Sequence, residues 1–209
     1  MNEWLIQPVA NNEEKREIWA HLMARYQIAL KQGFYLEAMM ISYAALEDRL
    51  ISCLYHMGVF RNRNSFKLGT KKTKQIINRI FQENDFACKR YYFNNISAKL
   101  SAVLAIVKEV QKGNDSYEPY YRTLMAVCKK KINVAEILGL EKEILHYFDV
   151  RNEIVHASLN KNYLCLQQEL RQCAEDGMRF ARYFDNLTKR IHGRGESADP
   201  IRRAARLSV

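Results

Sequence analysis

The sequence predicts an all-α helical bundle. Apolar residues recur at three- and four-residue spacing along most of the chain, glycines sit where those runs end, and no convincing stretch alternates as a strand would. At 209 residues and 48% hydrophobic content, the chain can bury one substantial core, and its balance is globular rather than disordered.

The first helix starts at Asn11 and Asn12, where a capping side chain precedes Glu13 and Glu14 at the positive end of the helix dipole. Ile18, Trp19, Leu22, Tyr26 and Leu30 follow in register as far as Gly33. Residues 34–57 form a second helix, apolar on nearly every side, which is the mark of a helix at the centre of a bundle; Gly58 closes it. Asn62, Asn64, Ser65 and Gly69 imply a loop leading into a helix near Thr70. Further helices are expected over 75–84 and 96–112, and after a turn at Asp115–Pro119 another runs to Lys131. Gly139 is expected to separate that helix from one over 140–159, and a long last helix covers 163–191. Residues 1–192 are therefore read as one helical domain. Residues 193–209 are read as a flexible basic tail, because Gly195, Pro200, Arg202, Arg203 and Arg206 come with little that could pack.

Composition narrows the function classes. No apolar run approaches the roughly 20 residues needed to span a bilayer, and the first twelve residues do not read as a secretion signal, so a cytoplasmic protein with no membrane partner is expected. Cys53, Cys88, Cys128, Cys165 and Cys173 are widely spaced without a CxxC pair and are read as reduced thiols within helices. His21, His56, His146 and His192 show no ligand spacing, so neither a metal nor a cofactor is expected. The net charge of +10 favours a polyanionic partner, nucleic acid first.

That charge is concentrated in places. Residues 59–79 hold Arg61, Arg63, Lys67, Lys71, Lys72, Lys74 and Arg79 without one acid. Such a stretch is either a solvated basic loop or an arm that contacts RNA phosphates and gains affinity by counterion release. Phe60 and Phe66 lie among the cations as candidate stacking platforms. The cluster Tyr91, Tyr92 and Phe93 reads as core packing ahead of a nucleobase platform.

The helix over 140–159 carries the chemistry. At about 100° per residue, Leu140, Ile144, Tyr147, Phe148, Ile154, Val155 and Leu159 gather on one stripe, with Arg151 near its middle. An arginine there breaks the pattern, since a buried charge is costly unless paired. One outcome is an ion pair with Glu47 or Glu37; the other is a functional site. Asn152 and His156 share the edge of the stripe, and Asp149 joins them at i, i+3, i+7. A histidine can move a proton at a ribose 2′-hydroxyl or leaving oxygen, and an arginine can hold a phosphate as charge builds, with no metal required.

The motif Arg151-Asn152-Glu153-Ile154-Val155-His156, late in an all-helical chain, resembles the HEPN superfamily, whose ribonucleases carry R-x4-6-H on a late helix with a polar residue after the arginine. The stretch Tyr35-Leu36-Glu37-Ala38 through Tyr43-Ala44-Ala45-Leu46-Glu47 is similar to a first core helix of such domains. The resemblance covers roughly residues 30–190. It implies a homodimeric bundle in which two motif copies meet at the interface. Arg151, His156 and Asn152 match the catalytic positions, and Glu47, with Asp149, stands as a supporting polar residue. It also implies an RNA substrate and, in many members, a toxin–antitoxin or phage-defence role with an antitoxin or other protein partner. A non-catalytic RNA- or nucleotide-binding or dimerisation module is the alternative.

Overall fold

The computed structural model describes residues 12–62, 67–84, 93–114, 116–157, 160 and 162–207. Among these the architecture is all-helical: α1 (Asn12–Gln32), α2 (Tyr35–His56), α3 (Lys71–Glu83), α4 (Ile96–Lys112), α5 (Pro119–Lys131), α6 (Val134–Ala157), α7 (Tyr163–His192) and a short α8 (Pro200–Ala204). No helix among the described residues is long and apolar enough to cross a membrane. A helix starts at Thr70 as expected, and two further caps join it, while Asn11 lies outside the described residues. Thr70 accepts from the Thr73 amide, and Asn95 and Asn162 cap α4 and α7.

α2 is the central element, as its all-round apolar surface requires, and it makes its most extensive contact with α7. The two run in the same direction. Ser42 meets Gly177, Arg49 donates to Asp185 at 2.7 Å, and the His56 and His192 rings lie 4.7 Å apart. α1 folds back on α2 as an antiparallel hairpin, tied by Lys15–Asp48 at one end and Arg25–Glu37 at the other. α6 runs antiparallel to α7, with Glu143 paired to Arg179 at 2.9 Å and Tyr147 packed on Phe180. On α4, Glu109 is fully buried and accepts from Tyr121 at 2.6 Å and from Asn84 at 2.9 Å, joining α3, α4 and α5. Burial pushes its carboxyl up, but those hydrogen bonds and the Lys112 charge outweigh this and hold it below the usual range.

Two expectations require correction. Gly139 does not separate helices: it lies within α6, and the break comes at Ile132, whose extended backbone (φ −107°, ψ 130°) ends α5. A single exposed glycine costs a helix only about 1 kcal/mol, less than the burial of Ile137 and Ile144 on either side returns.

The segment after residue 193 is not free. Ile201, Ala205 and Leu207 are buried, and Arg202, with no exposed surface, threads into the bundle. Its guanidinium donates to the carbonyls of Tyr55, Phe60 and Arg61, each at 3.0 Å, and lies 3.5 Å from the centroid of the Tyr55 ring. Those carbonyls lie in the last turn of α2 and just beyond it, where the chain turns through Gly58 (φ +74°) and carbonyls lose their regular helical partners. A basic residue that reads as solvated in sequence is thus consumed as a cap.

Gly177 and Gly139 make opposite predictions. A Cβ at Gly177 would lie 2.6 Å from both Ser42 Oγ and Tyr147 Oη, whereas one at Gly139 meets nothing within 4 Å. Gly177→Ala should destabilise, because overpacking costs about 1–3 kcal/mol against a helix-propensity gain of about 1 kcal/mol. Gly139→Ala should stabilise by up to about 1 kcal/mol. Urea melts of both variants check this, and equal effects would disprove the close three-helix crossing.

Candidate functional site

The site lies where α6 crosses the first half of α2. Ile137, Ile144, Tyr147, Phe148 and Ile154 of α6 are buried, which turns the next positions on the wheel towards the helix edge. Arg151 is half-buried there, with its guanidinium carbon 4.2 Å from the centroid of the Tyr43 ring. One guanidinium nitrogen, Nη1, donates to Asn152 Oδ1 at 3.1 Å. Its Nε is buried and has no hydrogen-bond partner among the described residues. Leaving a buried donor unpaired costs about 1–3 kcal/mol.

The aromatic ring takes the place of the expected carboxylate. Glu37 instead pairs with Arg25 across the α1–α2 hairpin. Glu47 accepts from Lys99 Nζ at 2.7 Å, and Lys99, only 1% exposed, needs that charge. Glu47 is therefore one turn from Tyr43 but committed to α4. Burial, with the Glu47 charge, raises the Tyr43 phenol above its usual range, and the Arg151 charge works against this. Tyr147, one turn before Arg151, is raised chiefly by burial, and Cys173 is pushed up to about 12 by burial and Asp176. None of these groups is an ionised nucleophile near neutral pH.

Asn152, His156, Asp149 and Val155 are all exposed on α6. Among the described residues of one chain, Arg151 and His156 make no contact; five residues apart, they diverge by about 140°. The structure joins Arg151 to Asn152 and leaves His156 facing outwards. Leu159 lies outside the described residues.

An apolar rim surrounds this edge. Leu36, Met40 and Tyr43 fall within about 60° of one another on α2. Leu36 is 51% exposed and Met40 47% exposed, with Phe34 exposed at the start of the helix. Val155 lies about 40° from Arg151 on α6, towards Asn152. A cavity of about 310 Å³ between α6 and α7 touches neither Arg151 nor His156. Glu143, Glu169 and Asp176 line it, which makes it a poor seat for phosphate.

In the basic segment, Arg61, Lys67, Lys71, Lys72 and Lys74 are exposed, and Arg63 lies outside the described residues. Phe60 is no stacking platform: it is fully buried, 4.8 Å from Phe93 and edge-on to it, and it anchors an isolated bridge to Leu68. The apolar core behind α2 claims the ring, while Arg61, Asn62 and Lys67 of the same loop face solvent. Phe66, Tyr91 and Tyr92 lie outside the described residues, and Phe93 is core.

A second constellation escaped the sequence reading. His56, His192 and Asp199 converge, with one ligand atom from each within 4.8 Å of the others. His56 Nδ1 is 2.5 Å from Asp199 Oδ1, and His192 Nδ1 is 3.1 Å from Asp199 Oδ2. Burial pushes the Asp199 carboxyl up, but the hydrogen bond from His56 and the nearness of the His192 ring outweigh that and hold it low. The spacing carries no linear signal, because the residues come from the ends of two helices and a turn and meet only through the parallel α2–α7 pairing.

No family model, curated protein or solved structure matches this chain.

The Arg151–Tyr43 contact is measurable. A double-mutant cycle with Arg151→Met and Tyr43→Leu should return a coupling of about 0.5–2 kcal/mol in unfolding free energy. A coupling indistinguishable from zero would remove the ring as the group that holds Arg151.

Proposed function

We propose that this protein is a metal-independent endoribonuclease of HEPN type, in which Arg151, Asn152 and His156 from two copies of the chain form one site. The observation that carries the reading is Arg151 itself. Its guanidinium is held by an aromatic face and by Asn152, and among the described residues no carboxylate neutralises it and its buried Nε donor is unpaired. A full positive charge presented in this way suits a phosphodiester oxygen.

His156 cannot share a substrate atom with Arg151 on an ideal single helix, but a two-fold pairing across the Leu36–Met40–Val155 rim sets each histidine against the other copy's arginine. The histidine then takes the proton from a ribose 2′-hydroxyl, the oxygen attacks the adjacent phosphorus, and the 5′-oxygen leaves with a proton from a second acid. The partner copy's histidine supplies that acid. Arg151 stabilises the charge on the non-bridging oxygens. The exposed cations of 61–74 give the RNA a second hold, beyond the other end of α2, and a phage-defence or toxin–antitoxin setting with a protein antitoxin fits such a nuclease. A binding module that retains Arg151 without cleavage is the alternative.

Purified protein with excess chelator should cut single-stranded RNA and leave cyclic phosphate ends. His156→Ala should slow this by roughly 10²–10⁴-fold while the circular dichroism spectrum is unchanged. Intact RNA bound tightly by the wild-type protein would favour the binding module. Met40→Glu should convert a dimer to a monomer in light scattering and lose cleavage with it. A wild-type monomer that cuts RNA at full rate would rule out the shared site.

A further inference from the structure

The three-residue cluster at the far end of α2 has the composition of a metal site. His56 comes from the last turn of α2, His192 from the last turn of α7, and Asp199 from the residue that caps α8. Asp199 adopts a left-handed conformation (φ +51°), costly for a residue with a side chain, and its carboxylate is 4% exposed as a residue. Backbone bonds fix that turn. The Asp199 amide donates to the His192 carbonyl at 2.7 Å, and its own carbonyl accepts from Arg203 at 3.0 Å. His192 Nδ1 is buried and, despite its nearness to Asp199, makes no hydrogen bond of proper geometry.

We propose that His56, His192 and Asp199 bind a zinc-class divalent ion that clamps residues 193–207 to the end of the bundle. Two imidazoles and a carboxylate are a borderline donor set that suits Zn²⁺ over Mg²⁺ or Ca²⁺. With bonds of about 2.0–2.2 Å, tetrahedral donors stand roughly 3.4 Å apart, within the spread these atoms already show. The ion replaces the proton shared by His56 and Asp199 and uses the poorly bonded His192 nitrogen. Water completes the shell from the side where His192 is 41% exposed. The clamp and the Arg202 cap then hold the same segment from its two ends. The cluster is 13 residues along α2 from Tyr43, about 20 Å. The ion is structural, and RNA cleavage at Arg151 neither needs it nor tests it.

The full chain, stripped with chelator and dialysed, is titrated with Zn²⁺ by calorimetry, and with Co²⁺ to read coordination from its visible spectrum. One ion per chain, a tetrahedral Co²⁺ spectrum, and slower trypsin cleavage at Arg203 and Arg206 with metal are expected. Asp199→Asn and His192→Ala should each weaken binding by at least the roughly 10–100-fold that loss of a supporting contact costs. His192→Ala removes a partly exposed ring, so it reports even if Asp199→Asn fails to fold. Binding that is undiminished in His192→Ala, an octahedral spectrum, or no saturable binding to the folded chain would overturn the proposal and leave a clasp made of hydrogen bonds alone.

Discussion

The close crossing of α2, α6 and α7 at Gly177 sets the geometry on which the rest depends. Ser42 and Tyr147 both reach the space that a side chain at 177 would fill. Tyr43 follows Ser42, and Arg151 follows Tyr147 by one turn. Both α2 and α6 pack on α7 there, which brings the Tyr43 ring and the Arg151 guanidinium within reach of each other. Because α2 and α7 run parallel, the same crossing carries their far ends together and brings His56 beside His192. One packing constraint thus determines two polar constellations at opposite ends of one helix pair.

The distribution of charge follows from the same packing. Acidic groups near the core are spent internally: Glu47 on Lys99, Asp185 on Arg49, Glu37 on Arg25, and Glu109 in a hydrogen-bonded hub. Glu47 and Asp185 offset the desolvated Lys99 and Arg49, since an isolated buried charge is more costly than a paired one. The carboxylates so committed cannot screen Arg61, Lys67, Lys71, Lys72 and Lys74, which remain exposed. The chain's excess of positive charge is consequently displayed on the surface instead of being dissipated in ion pairs.

Much of this was legible in the sequence, where local rules and the fold agree. The apolar circumference of α2 announced its central position, and Thr70, Gly33 and Gly58 marked helix ends by their own chemistry. Gly139 misled because a glycine weakens a helix only slightly, while burial of Ile137 and Ile144 decides the matter. Arg202 misled for a different reason. Composition cannot distinguish a solvated arginine from one that caps carbonyls, and the acceptors, at Tyr55, Phe60 and Arg61, lie more than 140 residues away. The Arg151 site was half legible. Its position on the apolar stripe follows from the 100° turn, but the choice of Tyr43 over Glu47 depends on Lys99, a long-range competitor for the carboxylate.

That competition bears on function. Had Glu47 faced Arg151, a carboxylate would neutralise the guanidinium. An aromatic face holds the charge without cancelling it, because the ring contributes a quadrupole and no formal charge. The fold accepts an unpaired Nε donor at a cost of about 1–3 kcal/mol. Arg151 thus keeps its formal charge, held by the Tyr43 ring and by Asn152 with no paired carboxylate among the described residues.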